Sequence, residues 1–332
     1  MESYRIPTDR FAAGGFRYRP KYEWPIRKPS QLRLCPAASI TNGNNKVQNR
    51  MFILGMGYVG EFVAQDLMNQ GWVVSGTCTS PAKKEKLKKL GLDVHLFDAN
   101  HPELEVINVM NQHTHLLVSI PPCKDIGDPM LQHGELLKSK LNSVYGDCGG
   151  AWVDEIYQPK PSSELAKLRL AAEEGWLNLG VGLGLAAHVF RLGGIYGPGR
   201  SAIDTIMKPD PLSNVQRARS SKKFTSRVHV ADISNALNAC IHRPHPGIYN
   251  IVDDDPASRI QVFSYAHELI NEKWPSRIKK MVIDESRIEK GNLRGEKRVV
   301  NARMKKELGV RLIHPSYKTG LQSICEESPS DP

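Results

Sequence analysis

Two groupings of residues in this chain have the types and spacing to do chemistry. The first is "GMGYVG", where Gly55, Gly57 and Gly60 stand in a GxGxxG spacing with Tyr58 and Val59 between them. Such a turn brings backbone N–H groups up to a phosphate, because no Cβ stands in the way. The second is Ser163 and Lys167 in "SSELAK". Four residues apart on a helix, they share one face. A hydroxyl beside an ammonium is a proton-transfer arrangement. A phenol of pKa about 10 can be drawn towards neutrality in that way. A serine hydroxyl is far less acidic and needs a base of its own.

These residues need elements to hold them. "MFIL" reads as an apolar strand running into the glycine turn, and a helix follows. "WVVSGTCTS" is a second strand, "PAKKEKLKKLG" a lysine-rich helix with Gly91 at its C-terminal end, "LDVHLFDAN" a third strand, "HPELEVINVMNQ" a helix and "HLLVSIPP" a fourth strand. Strands that are apolar throughout and alternate with helices predict a parallel sheet covered on both faces. In that context the glycine turn predicts a dinucleotide site. The first glycine makes the turn, the second admits the pyrophosphate and the third lets helix pack on strand. The helix N-terminus supplies the N–H donors. Ser119 and Pro121 close the fourth strand beside this site.

The end of the second strand bears on which dinucleotide. An NAD site places Asp or Glu there for the ribose 2′-hydroxyl. Here the residues are Thr77, Cys78, Thr79 and Ser80, followed by Lys83 and Lys84. Hydroxyls and amines without a carboxylate favour NADP(H) over NAD(H), although lysines on a solvated helix face look the same. Asp98, after the third strand, is a candidate adenine contact or a helix N-cap. The helix from Glu164 has its start signal in Pro161 and the serines before it.

The chain has 332 residues and a net charge of +10. Residues 1–50 carry seven Arg and three Lys against Glu2, Asp9 and Glu23, a net +7, so the remaining 282 residues hold about +3. The basicity belongs to the N-terminal tail, which argues against a nucleic-acid groove on the folded part. An Arg-rich leader before a globular start predicts organelle targeting, plastid first, with mitochondrial or cytoplasmic residence as the alternatives. No run approaches the ~20 apolar residues of a membrane span. Cys35, Cys78, Cys123, Cys148, Cys240 and Cys325 are scattered and form no CxxC pair, which predicts free thiols and no zinc site. "HTH" at 113–115 and "HRPHP" at 242–246 lack acidic or thiol partners at ligand spacing, so no metal is expected.

"ILGMGYVG", "SVYGD", "SSELAK", "RLGGIYGPGR", "SRVHVADIS", "GIYNIVDDDP" and "RVVNARMKKELG" occur in an order that resembles the extended or atypical short-chain dehydrogenases/reductases, the NAD(P)-dependent epimerase/dehydratase-like family. The resemblance covers about residues 50–325. It implies a doubly wound Rossmann fold with a smaller C-terminal substrate lobe. The expected division is a basic tail over 1–48, a Rossmann part over 49–195, a substrate lobe with returning Rossmann elements over 196–325, and a short tail. The resemblance implies that Tyr196, Arg200 and Arg227 face substrate and that Lys167 holds the cofactor ribose. It also exposes departures. The family's Tyr-x-x-x-Lys slot holds Ser163, and the family's Ser/Thr four residues before the tyrosine of "VYG" is Leu141.

A physical gap accompanies these departures. After the fourth strand, "DPMLQHGELLKSKL" reads as a helix, and a return strand of about five residues should follow. Only Asn142, Ser143 and Val144 precede Tyr145, so one central strand is expected to be missing or shortened. Two readings result. One is an NADP(H)-dependent oxidoreductase or epimerase-like enzyme acting on an unidentified small molecule, with Tyr145, Tyr157, Asp154 or Glu155 as unconventional acid/base. The other is an NADP(H)-binding sensor or scaffold without turnover, and organellar nucleic-acid binding is a more distant third. For Asp154 and Glu155 the competing expectation is a solvated loop.

Overall fold

Strand β1 (Arg50–Leu54) sets the architecture, because its alternating side chains feed two cores. Met51 and Ile53 point into one and Phe52 and Leu54 into the other. The computed structural model describes residues 48–98, 104–122, 127–128, 151–157, 159, 161, 163–207, 223–241, 243, 245–275 and 297–328. From Gln48 onward the chain forms one compact unit. β1 is followed by α1 (Tyr58–Asn69), β2 (Val73–Cys78), α2 (Pro81–Lys89), β3 (Asp93–Leu96), α3 (Leu104–Met110) and β4 (His115–Val118). The four strands make one parallel sheet in the order β3-β2-β1-β4.

Local chemistry explains the helix ends. Ser80 caps α2, its Oγ accepting from Lys83 N at 3.4 Å, and Pro81 occupies the first helical position. Gly91, at φ 81°, takes the left-handed turn beyond the last residues.

Later elements repeat the α/β pattern. β5 (Ala151–Val153) precedes α4 (Glu164–Leu183), β6 (His188–Leu192), β7 (Gly194–Tyr196), α5 (Ala202–Met207), β8 (Arg227–His229), α6 (Val230–Ile241), β9 (Gly247–Ile251), α7 (Arg259–Lys273), β10 (Lys297–Val299), α8 (Ala302–Leu308) and α9 (Tyr317–Glu327). They pair as β6 with β9, β7 with β8 and β5 with β10, each parallel. The α/β parallel-sheet fold is thus the expected one. A smaller second core gathers α5, α7 and α9 around Ile206, Ala266, Ile270 and Leu321.

β5, at "AWV", is a strand that the sequence reading did not assign. It is three residues long, and its partner β10 lies at the far end of the chain, so no local pattern marks it. The expected helix at 128–141 and the stunted strand before Tyr145 fall almost wholly outside the described residues, as do Leu141, Ser143 and Tyr145 themselves. Among the described residues no strand pairs with the outer edge of β4, and β6 pairs with β9. Leu116, on β4, is 38% exposed, unlike a central strand residue covered on both faces.

Helix α4 contacts both β1/β4 and β6. Trp176 packs with Phe52, Leu54 and Val118 on the β1/β4 side. Three residues earlier, Glu173 takes the β6 residue Arg191 in a two-pronged ion pair, Nε to Oε2 at 3.0 Å and Nη2 to Oε1 at 2.5 Å. On the opposite face α1 meets α6, where Asp66 accepts from Ser234 Oγ at 2.5 Å and Asn238 Nδ2 at 3.1 Å.

Candidate dinucleotide site

The glycine turn is held from both neighbouring strands. Gly55 N donates to Thr77 Oγ1 at 2.9 Å and Met56 N to Thr77 O at 2.7 Å. Ser119 N donates to Leu54 O at 2.6 Å, drawing the end of β4 onto the turn. Gly55 has φ 93°, a region that favours glycine, and a Cβ there would lie 3.1 Å from the Ser119 backbone. At Gly60 a Cβ would fall 2.6 Å from Gly55 O, so only glycine lets α1 start this close to β1. Gly57 differs, because a Cβ there would meet nothing within 4 Å. It is the N-cap of α1 and makes no side-chain cap. The first-turn N–H groups of α1 have no carbonyl partner inside the helix. Open space beside these donors is a cradle that fits a pyrophosphate.

The neighbouring residues are placed as follows. Thr77 is buried, with its hydroxyl turned to the glycine turn, while Thr79 and Ser80 are exposed at the end of β2. Asp98 and Pro121 are exposed beyond β3 and β4. Lys83 Nζ lies 2.7 Å from Glu61 Oε1, and Lys86 Nζ 3.3 Å from Glu61 Oε2. Burial acts to raise the Glu61 pKa, but the two ammoniums outweigh it and hold the carboxyl below its ordinary range. Tyr58 follows Gly57, and its OH donates to Pro198 O at 3.0 Å. The Arg200 guanidinium sits over its ring at 5.4 Å. Burial pushes the Tyr58 phenol up to about 12, so it keeps its proton at neutral pH.

No family model matches the chain. Protein YeeZ of Escherichia coli K12 is 26% identical over 223 residues, which is 61% of this chain and 77% of that protein. Among solved structures, a functionally unknown conserved protein from Silicibacter pomeroyi DSS is 32% identical, with a TM-score of 0.67, and the match covers 85% of this chain and 99% of that one. At that identity and coverage, the two chains belong to one family. The UDP-glucuronic acid 4-epimerase of Bacillus cereus, solved in complex with NAD, is 15% identical with a TM-score of 0.60, over 83% of this chain and 96% of that one. The likeness to that epimerase is one of fold, parallel strands alternating with helices in a Rossmann-type arrangement.

Helix α4 carries the Ser163–Lys167 pair. Ser163 is its N-cap, with Oγ accepting from Ala166 N at 3.2 Å. Lys167 is exposed, and its Nζ donates to Glu164 Oε1 at 2.6 Å. The acidic pair before α4 is also engaged locally. Asp154 Oδ1 accepts from Tyr157 N at 3.1 Å, and Glu155 Oε1 from Asn250 N of β9 at 2.8 Å. Burial raises the Glu155 pKa. Tyr157 packs with Val153, Leu170 and Val299.

On the substrate side, Tyr196 is buried in the second core, with its ring edge-on to His229 at 5.2 Å. Arg227 Nη1 donates to the carbonyls of Thr225 at 2.8 Å and Ala257 at 2.7 Å. Beside it stands a residue that sequence reasoning missed. Asp253 is 2% exposed, and its carboxylate oxygens have no well-formed hydrogen bond, only weak pulls from the backbone N–H groups of Arg227 and Asp255. Burial pushes it up to about 8, against the pull of the Arg227 charge. The run of three aspartates after β9 was its only signal. Cys78, Cys240 and Cys325 are free and buried. Among the described residues no His, Cys, Asp and Glu side chains group to hold a metal ion, and no helix is long and apolar enough to cross a membrane.

Proposed function

We propose that this chain binds a nicotinamide dinucleotide at the Gly55–Gly60 turn, NADP(H) ahead of NAD(H), and serves as an NADP(H)-dependent oxidoreductase or epimerase-like protein acting on a small molecule. The open space at Gly57 beside the first turn of α1 carries this reading. When bound, the nicotinamide ring would supply hydride transfer. Gly57 and the α1 N–H groups would hold the pyrophosphate, and Thr79 and Ser80 would face the adenosine ribose. The choice of NADP(H) rests on the lack of a carboxylate at the end of β2.

A second reading is cofactor binding without turnover. It is favoured by Ser163, whose hydroxyl is occupied as a helix cap, and by Lys167, whose ammonium is held by Glu164. The basic segment 1–48 is proposed to direct the chain to a plastid.

The test is thermal melting of the full chain with NADPH and with NADH. A ligand at 100 times its Kd adds about 2.7 kcal/mol of apparent stability. An NADPH-selective rise in Tm is expected, and no rise with either dinucleotide would sink the cofactor assignment. Lys167→Ala separates the two readings. If Lys167 holds the ribose during turnover, the variant loses NADPH oxidation with carbonyl substrates. If binding survives unchanged and no turnover is seen in either protein, the non-catalytic reading stands.

A further inference from the structure

The end of β2 lacks a carboxylate, yet one reaches the same corner from α1. Glu61 directly follows the third glycine of the turn, and it contacts both Lys83 and Lys86 of α2. The two carboxylate oxygens are divided between the two ammoniums. The group is part-exposed, with side-chain exposures of 25% for Glu61, 32% for Lys83 and 67% for Lys86. Lys83 also stands on the first turn of α2, three residues after the Ser80 cap.

We infer that Glu61 sets the discrimination between NADP(H) and NAD(H) by competing with an adenosine 2′-phosphate for Lys83. The inference rests on the dinucleotide reading of the glycine turn. Two lysines and one glutamate leave this corner at +1, whereas a phosphate monoester carries about −1.5 to −2 at neutral pH. With Glu61 in place, the phosphate must draw Lys83 away from its partner and accept a like charge nearby. Without that carboxylate the corner holds +2, which matches the phosphate. NAD(H) presents only a hydroxyl here and is indifferent to the change. Glu61 is therefore a positioning residue. It acts through the lysines, and its signature is a cofactor ratio and not a loss of fold.

The experiment is calorimetric titration of the full-length wild type and Glu61→Gln with NADPH, NADH, 2′,5′-ADP and 5′-ADP. A like charge about 6 Å away at an effective dielectric of about 40 corresponds to roughly a tenfold change in affinity. NADPH and 2′,5′-ADP should therefore bind Glu61→Gln roughly tenfold more tightly, with NADH and 5′-ADP unchanged. The gain should shrink on going from about 0.01 M to 1 M salt. It should also shrink when Lys83→Met is added, since the part of the gain that comes from releasing Lys83 is then lost. An unchanged or reversed NADPH-to-NADH ratio in Glu61→Gln overturns the inference while leaving the dinucleotide site intact. Failure of the wild type to bind any of the four ligands overturns the dinucleotide reading and this inference together.

Discussion

Replacing Glu173 with Ala removes the partner of Arg191 where neither side chain can reach water. Their side-chain exposures are 4% and 6%. The pair is two-pronged, so the carboxylate satisfies two guanidinium donors at once. Removing one partner of a buried pair leaves an uncompensated charge, at a cost of about 3–5 kcal/mol. Arg191 keeps a longer bond from Nη1 to Glu155 O at 3.4 Å, which places the expectation near the lower figure, about 3 kcal/mol. At roughly 2–4 °C per kcal/mol for a chain of this size, Tm should fall by about 6–12 °C. Urea unfolding followed by tryptophan fluorescence is the assay, since Trp176 is buried on the same helix. A companion variant, Glu173→Leu with Arg191→Met, should recover most of the loss, because apolar residues of similar volume replace a buried pair at little cost. A loss below about 1 kcal/mol for Glu173→Ala, or a double variant as unstable as the single, would refute the argument that this pair docks α4 on β6.

Two further expectations concern the carboxylate at the end of β9 and the glycine turn. Asp253 is an acid whose folded pKa lies above its unfolded one, so the folded state retains the proton. Its stabilising contribution is complete below about pH 4 and is lost as pH rises through about 8, with a slope of at most about 1.4 kcal/mol per pH unit. Asp253→Asn should flatten stability across that window, and denaturation at a series of pH values showing the same slope in both proteins would contradict the assignment. Gly57→Ala should change stability by less than about 1 kcal/mol, since its methyl meets open space, yet abolish dinucleotide binding. Gly60→Ala should destabilise by about 1–3 kcal/mol, because its methyl strikes the Gly55 carbonyl. Equal melting losses in the two variants would refute this reading of the turn.

The parts legible in the sequence were those written locally. The glycine spacing identified the β1–α1 turn, the Ser80–Pro81 start and Gly91 stop bounded α2, and Ser163 marked the start of α4. What escaped were relations between distant elements. β5 is three residues long and exists only because β10 pairs with it. Glu61 sits in plain view after the glycines, but its hold on Lys83 and Lys86 depends on how α1 packs beside α2. Asp253 reads as one of three acidic turn residues, and only the fold buries it beside Arg227. The serine and lysine of α4 carried a chemical suggestion in their spacing, whereas the structure gives each a partner within its own helix turn.

The outer edge of β4, unpaired among the described residues, bears on how β4 and β6 are coupled. A continuous parallel sheet transmits displacement through backbone hydrogen bonds, which no side-chain substitution removes. Among the described residues, the line between these strands is crossed by side chains instead, Trp176 and Glu173 on one face and Asp66 with its partners from α6 on the other. The mechanical stiffness of that line is therefore open to mutation one residue at a time. A molecule that orders the glycine turn would also act on Pro198 directly, through the Tyr58 hydroxyl.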